Sequence, residues 1–249
     1  MALFETEGLI LKSYNLSEAD KIVVFLTQHQ GLVKGVAKGA KRLKSKFGGS
    51  LEPFSIVNLS YFQKEERELV SIQEVELVKS YFDLASEIVF LQKFAYLTEL
   101  LIQFSPPHDP NERLYRMAKV CLESSSENQQ TLEIITLYFE LWLLRLNGYL
   151  PNWNVCDVCK RELANESAGL LTNFHLICKN CQKAKSNTLI SPDEREVFAQ
   201  TQKMSPVKFI EYAETKSSEI KTISQILKRM ISQIIGREIL SEKVLVVSS

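Results

Sequence analysis

Between residues 6 and 78 the apolar residues fall in short blocks separated by turn residues, and from residue 84 onward they recur at the helical period of about 3.6. The first pattern predicts strands over 6–14, 21–28, 32–37, 54–62 and 69–78. Within the second, Ile22-Val23-Val24-Phe25-Leu26 runs into His29-Gln30-Gly31, where glycine supplies the left-handed position of a hairpin turn. Five short strands without a long helix among them predict an OB-type Greek-key barrel; an SH3-like barrel satisfies the same pattern.

In the helical region, Asp83 is the expected N-cap of a helix reaching about Phe104, with Leu84, Ile88, Leu91, Phe94, Leu97, Leu101 and Phe104 as its apolar stripe. Ser105-Pro106-Pro107-His108-Asp109-Pro110 ends it, with His108 expected to face solvent. A second helix carries Leu114, Met117, Ala118 and Cys121. A third, over 132–147, is apolar nearly all round and is the expected centre of a helical domain. Gly148 and Pro151 stop it. Ser191-Pro192-Asp193-Glu194 forms a capping box with proline at the first helical place. That helix should end near Lys203, and a short one follows over 206–212. The last helix, striped by Ile220, Ile223, Leu227, Met230 and Ile231, should pack back on the first helical group. The chain is therefore expected to be multidomain β and α. Its parts are an OB-fold barrel at 1–80, an all-α domain at 81–150 and 186–249, and an inserted four-cysteine zinc ribbon at 151–185.

The ribbon rests on Cys156-x-x-Cys159 and Cys178-x-x-Cys181. Two intervening residues let both sulfurs of a pair turn onto one ion, and a second pair completes a closed tetrahedron of thiolates. One structural Zn2+ held by Cys156, Cys159, Cys178 and Cys181 is the expected cofactor. His175 is an alternative ligand, but four thiolates already fill the shell. Cys121, the odd fifth cysteine, falls on an apolar helix face and is read as inert core. A deaminase would need His-x-Glu beside its cysteine pair, and that tripeptide does not occur.

Formal net charge is zero, with 30 basic and 30 acidic residues. The distribution changes the picture. Residues 31–49 hold Lys34, Lys38, Lys41, Arg42, Lys44 and Lys46 and no acidic residue. Countercharges must lie elsewhere, so positive potential gathers at one edge of the barrel. Glycines in this run let backbone approach a polyanion, Ser45 can donate to a phosphate oxygen, and Phe47, Phe54, Tyr61 and Phe62 offer planes for bases. The plainer reading is a solvated loop whose aromatic residues belong to the core. Lys216, Lys221, Lys228, Arg229, Arg237 and Lys243 form a second, looser set, read chiefly as solubilising charge. No phosphate-loop or dinucleotide fingerprint fits the glycines. No apolar run is long enough to span a bilayer, and Met1-Ala2-Leu3-Phe4-Glu5 lacks a leader pattern, so a cytoplasmic location with no membrane partner is expected.

Several ordered segments carry a resemblance. Glu18-Ala19-Asp20-Lys21-Ile22, Leu26-Thr27 with Gly31, and Val36-Ala37-Lys38-Gly39-Ala40-Lys41-Arg42-Leu43-Lys44-Ser45 lead into Leu51-Glu52-Pro53-Phe54. With Leu146-Asn147-Gly148-Tyr149-Leu150-Pro151, the two cysteine pairs and Gly236-Arg237-Glu238-Ile239-Leu240-Ser241, they make the chain resemble the RecO family of bacterial recombination-mediator proteins. One departure is that family members often carry Gly-Gly ahead of the third cysteine, where this chain has Phe174-His175. The resemblance implies a non-enzymatic DNA repair factor associated with the nucleoid. It implies binding of single- and double-stranded DNA, annealing of complementary strands, and loading of RecA with RecR on gaps coated by single-stranded-DNA-binding protein, whose C-terminal tail is a further partner. Lys34, Lys38, Lys41, Arg42, Lys44, Ser45 and Lys46 are the expected DNA contacts. A protein adaptor whose basic loop docks an acidic tail is the alternative. A zinc hydrolase would need an open metal position and a carboxylate cluster, which the sequence does not offer.

Overall fold

A computed structural model describes residues 2–64, 68–182, 188–239 and 241. Lys243, the last member of the looser basic set, lies outside the described residues.

The chain up to Glu127 forms one compact unit and Asn128–Ile239 a second. In the first, β1 (Ala2–Asn15), β2 (Lys21–Thr27), β3 (Gly31–Ala37), β4 (Ser55–Gln63) and β5 (Val70–Ser80) close into a barrel in the order β1-β2-β3-β5-β4. Every pairing is antiparallel except β3 with β5. This is the five-stranded OB arrangement. β1 starts earlier than its apolar alternation suggests, because Ala2–Leu9 pairs with β4 while Gly8–Asn15 pairs with β2. A register shift between Ile10 and Lys12 bends the strand so that one segment serves both neighbours.

Ile10, Val23, Phe25, Val33, Val57, Leu59, Tyr61, Val70 and Ile72 fill the barrel. Two glycines permit close approaches to β3, one at the barrel's closure and one against the loop after α1. A Cβ on Gly35 would stand 2.8 Å from the side chains of Ile72 and Val70, where β5 pairs with β3. Gly31 has φ +68°, and a Cβ there would stand 2.2 Å from the Asp109 carbonyl oxygen.

Asp83 does not cap a helix. It falls in a short 3-10 turn, Phe82–Ser86, and α1 (Ile88–Phe104) begins after extended Glu87. Tyr81 donates its N–H to the Phe54 carbonyl at 3.0 Å, which ties this turn to the barrel and keeps it from running on into the helix. α2 (Glu112–Glu123) is capped by Asn111, whose side chain accepts the Leu114 N–H. On its inner face, Tyr115 Oη and Lys119 Nζ donate to the Glu7 carboxylate of β1 at 2.8 and 2.7 Å. Burial pushes the Glu7 carboxyl up, but these bonds outweigh it and hold the group below its ordinary range. His108 is exposed, as expected, while its N–H donates to the Leu32 carbonyl. Cys121 is fully buried and burial pushes its thiol up, which suits inert core.

In the second unit, α3 (Gln129–Leu146) starts at the cap provided by Asn128, three residues before its apolar run becomes evident. It packs against α5 (Pro206–Ala213) and α6 (Ser217–Ile235), and α4 (Pro192–Gln200) packs against α6. The capping box of α4 is formed: Ser191 Oγ accepts the Glu194 N–H at 3.2 Å and Glu194 Oε2 accepts the Ser191 N–H at 2.7 Å. α4 stops at Gln200, short of the expected end, where Thr201 Oγ1 donates to the Phe198 carbonyl. Between α3 and α4 lies a small antiparallel sheet of β6 (Ala168–Leu170), β7 (Leu176–Ile177) and β8 (Leu189–Ile190), ordered β7-β6-β8. Among the described residues no helix is long and apolar enough to cross a membrane.

Candidate nucleic-acid interface and metal centre

The β3–β4 connection is a succession of turns held by backbone bonds. Arg42 N–H donates to Gly39 O at 3.1 Å, Ser45 N–H to Arg42 O at 2.9 Å, and Ser50 N–H to Phe47 O at 3.0 Å. Phe47 and Leu51 sink into the barrel core and anchor the connection from below. The β1–β2 loop braces it from the side: Asp20 Oδ1 accepts the Gly39 N–H at 2.8 Å, and Ala19 O accepts the Lys41 N–H at 3.0 Å. Lys21 and Glu52 pair at 2.9 Å, which occupies that acid.

On this support Lys38, Lys41, Arg42, Lys44 and Lys46 are exposed. Lys41 Nζ reaches the Ser17 carbonyl at 3.1 Å, and Lys46 Nζ lies 5.3 Å from the centre of the Phe47 ring. Lys34, on β3, stands 3.7 Å from Glu68 and is partly neutralised. Ser45 Oγ accepts the Phe47 N–H at 3.2 Å and keeps its own hydrogen for another acceptor.

The aromatic residues are placed otherwise than a base-stacking role requires. Phe47, Phe54 and Tyr61 are buried, and burial pushes the Tyr61 phenol up to about 12. Phe54 packs edge-on against Phe90 and Phe94 of α1, with φ +64° holding it there. Alternation along β4 turns Tyr61 inward, whereas Phe62 is half-buried.

Phe62 belongs to a feature that the sequence pattern alone did not reveal. A groove of about 780 Å³ is lined by Leu16, Val36, Phe62 and Leu69, with Lys38 and Lys64 as cations and Asp20 and Glu68 as anions. It lies between the β1–β2 loop and the β4–β5 connection, the two loops that flank the ligand face of OB barrels. The signal was the strand order, which becomes available only when β5 is known to lie beside β3. The balancing acids are also located. Glu5, Glu74 and Glu76 are exposed across β1, β4 and β5, in rows whose middle positions are Ser60 and Asn58.

In the second unit the four cysteines converge. The sulfurs of Cys156, Cys159, Cys178 and Cys181 all lie within 4.8 Å of one another. Four sulfurs at about 2.3 Å from one tetrahedral ion stand roughly 3.8 Å apart. Cys159 and Cys178 Sγ are 3.9 Å apart, so the donor set fits such an ion. Cys178 N–H points at Cys156 Sγ at 3.4 Å, and the Arg161 guanidinium beside Cys178 pulls its thiol down to about 6. His175 is outside this set, with Nδ1 3.5 Å from Asp157. Ahead of the third cysteine Phe174 adopts φ +64°, a left-handed conformation that a residue other than glycine rarely takes.

Two contacts join this module to α4. Trp153 stacks on Phe198 with ring centres 4.2 Å apart and donates Nε1–H to the Phe174 carbonyl at 2.9 Å. Arg195 Nη2 donates to the carbonyls of Leu163, Ala164 and Glu166 at 2.8, 2.6 and 2.9 Å.

Comparison with known proteins agrees with this architecture. Residues 1–81 match the family model described as Recombination protein O N terminal, and residues 94–243 match Recombination protein O C terminal. A DNA repair protein RecO from Koribacter versatilis is 30% identical over 194 residues, covering 75% of this chain and 76% of the relative. One from Thermodesulfovibrio yellowstonii is 27% identical over 238 residues, covering 94% of each. One from Syntrophus aciditrophicus is 26% identical over 256 residues, covering 98% and 95%. Barrel order, cysteine cluster and these matches agree: the chain belongs to the RecO family of DNA repair proteins.

Proposed function

We propose that the chain is a non-enzymatic recombination mediator that binds single- and double-stranded DNA and anneals complementary strands. It helps RecR load RecA on gaps coated by single-stranded-DNA-binding protein, whose C-terminal tail it also binds, and it works in the cytoplasm at the nucleoid. The observation that carries this reading is the braced, exposed set Lys38, Lys41, Arg42, Lys44 and Lys46 beside the groove of Phe62 and Lys64. Lys34 and Ser45 extend the set. Phosphates neutralised there bring two strands close while base pairing supplies the specificity, so no bond needs to be made or broken.

Cys156, Cys159, Cys178 and Cys181 hold one structural Zn2+ in this reading, a closed shell without a free position for substrate. In this reading the functional parts are the barrel at 1–80, the helical parts at 81–150 and 186–249, and the zinc module at 151–185. The end of β5 at Ser80 supports a boundary there, while the compact unit runs on to Glu127, with α2 pinned to β1 through Glu7.

Fluorescence anisotropy tests the reading. Labelled mixed-sequence single-stranded DNA should bind, and complementary strands should anneal faster with the protein than without it. Binding of an acidic peptide but not of DNA would replace it with the adaptor reading.

A further inference from the structure

Leu43 has a relative exposure of 107%, well apart from the other exposed large apolar side chains among the described residues, of which the next is Ile88 at 69%. A single exposed leucine is ordinary on a protein surface. This one differs in its support and its neighbours. Its backbone lies in the turn closed by Ser45 N–H on Arg42 O, directly after the turn closed by Arg42 N–H on Gly39 O, on a connection anchored by Phe47 and Leu51. Lys41, Arg42 and Lys44 flank it, all exposed. Since Phe47 is in the core, Leu43 is the apolar surface that this part of the chain offers a base.

The geometry points to Leu43 as a wedge that enters between two adjacent bases of a bound single strand and parts their stack, while the flanking cations hold the phosphates. Apolar side chains part base steps in this way when DNA-bending proteins grip a duplex, and a preformed support lowers the ordering cost of binding. Parted bases also turn their pairing edges toward an incoming complementary strand. The inference rests on the reading that this loop binds DNA.

An adenine oligodeoxynucleotide carrying one 2-aminopurine reports stacking through its fluorescence. The wild-type protein should raise that emission on binding. Leu43→Ser should abolish the rise and weaken binding about tenfold, or ~1.4 kcal/mol, while leaving the salt dependence and the melting temperature unchanged. Leu43→Met should restore both emission and affinity. Wild-type emission and affinity in Leu43→Ser, with binding lost when Lys41, Arg42, Lys44 and Lys46 are all changed to alanine, would refute the wedge and leave the loop reading standing. Unchanged binding in that quadruple variant would remove the loop reading and the wedge with it.

Discussion

Replacing Arg195 should loosen the hold of α4 on the cysteine module, leaving the Trp153–Phe198 stack as the remaining contact. Three carbonyls, of Leu163, Ala164 and Glu166, take their hydrogen bonds from one nitrogen, Nη2, and the residue is only 7% exposed. Nη2 has two hydrogens, so one of them is shared between two carbonyls. In Arg195→Met the stem packing is largely kept and the carbonyls lose their donor. Water can reach the two partly buried carbonyls, whereas the contact with Leu163 is buried, so its carbonyl bears most of a penalty of about 1–3 kcal/mol. Losing a charge-assisted donor to the other two brings the expected cost to about 3 kcal/mol. Arg195→Lys should cost less, because an ammonium has three hydrogens to share among three acceptors. The assay is urea denaturation followed by tryptophan emission in protein carrying Trp142→Phe, so that Trp153 reports. A loss below about 0.5 kcal/mol in Arg195→Met, or a larger loss in Arg195→Lys, would refute the reasoning.

Removal of metal should expose Trp153, shifting its emission to the red with loss of one Zn2+ per chain; a metal assay finding no stoichiometric zinc would count against the site. Glu7→Gln should destabilise the first unit by about 1–2 kcal/mol at neutral pH. The folded carboxyl titrates below its ordinary 4.5, so its contribution is present above that value and lost as pH falls through the folded value. The gap between wild type and variant should therefore close on acidification, and a constant gap would contradict the assignment. Gly31→Ala combines a left-handed φ with a clash against the Asp109 backbone, and should cost about 2–4 kcal/mol in chemical denaturation.

Much of this architecture was legible because local chemistry and tertiary structure agree. Strand alternation, the Ser191 capping box and the paired cysteines each depend on neighbours a few residues away, and each forms as the sequence implies. What was hidden depends on distant partners. The first residues of β1 are a strand because β4 lies beside them, and α1 starts late because Tyr81 is tied to Phe54. Phe47 and Tyr61 look alike as base platforms or as core in a one-dimensional reading, and only barrel closure shows that they face inward. The groove of Phe62 and Lys64 needs the β3–β5 pairing, a contact between segments more than thirty residues apart.

The most direct measurement is the affinity for mixed-sequence single-stranded DNA as a function of salt, for the wild type and for the protein with alanine at Lys41, Arg42, Lys44 and Lys46. Log affinity should fall steeply with log salt in the wild type. If each of the four cations neutralises one phosphate at about 0.7 of slope, the variant's slope should be flatter by roughly 3. The same slope and the same affinity in both proteins would contradict the placement of DNA on this loop.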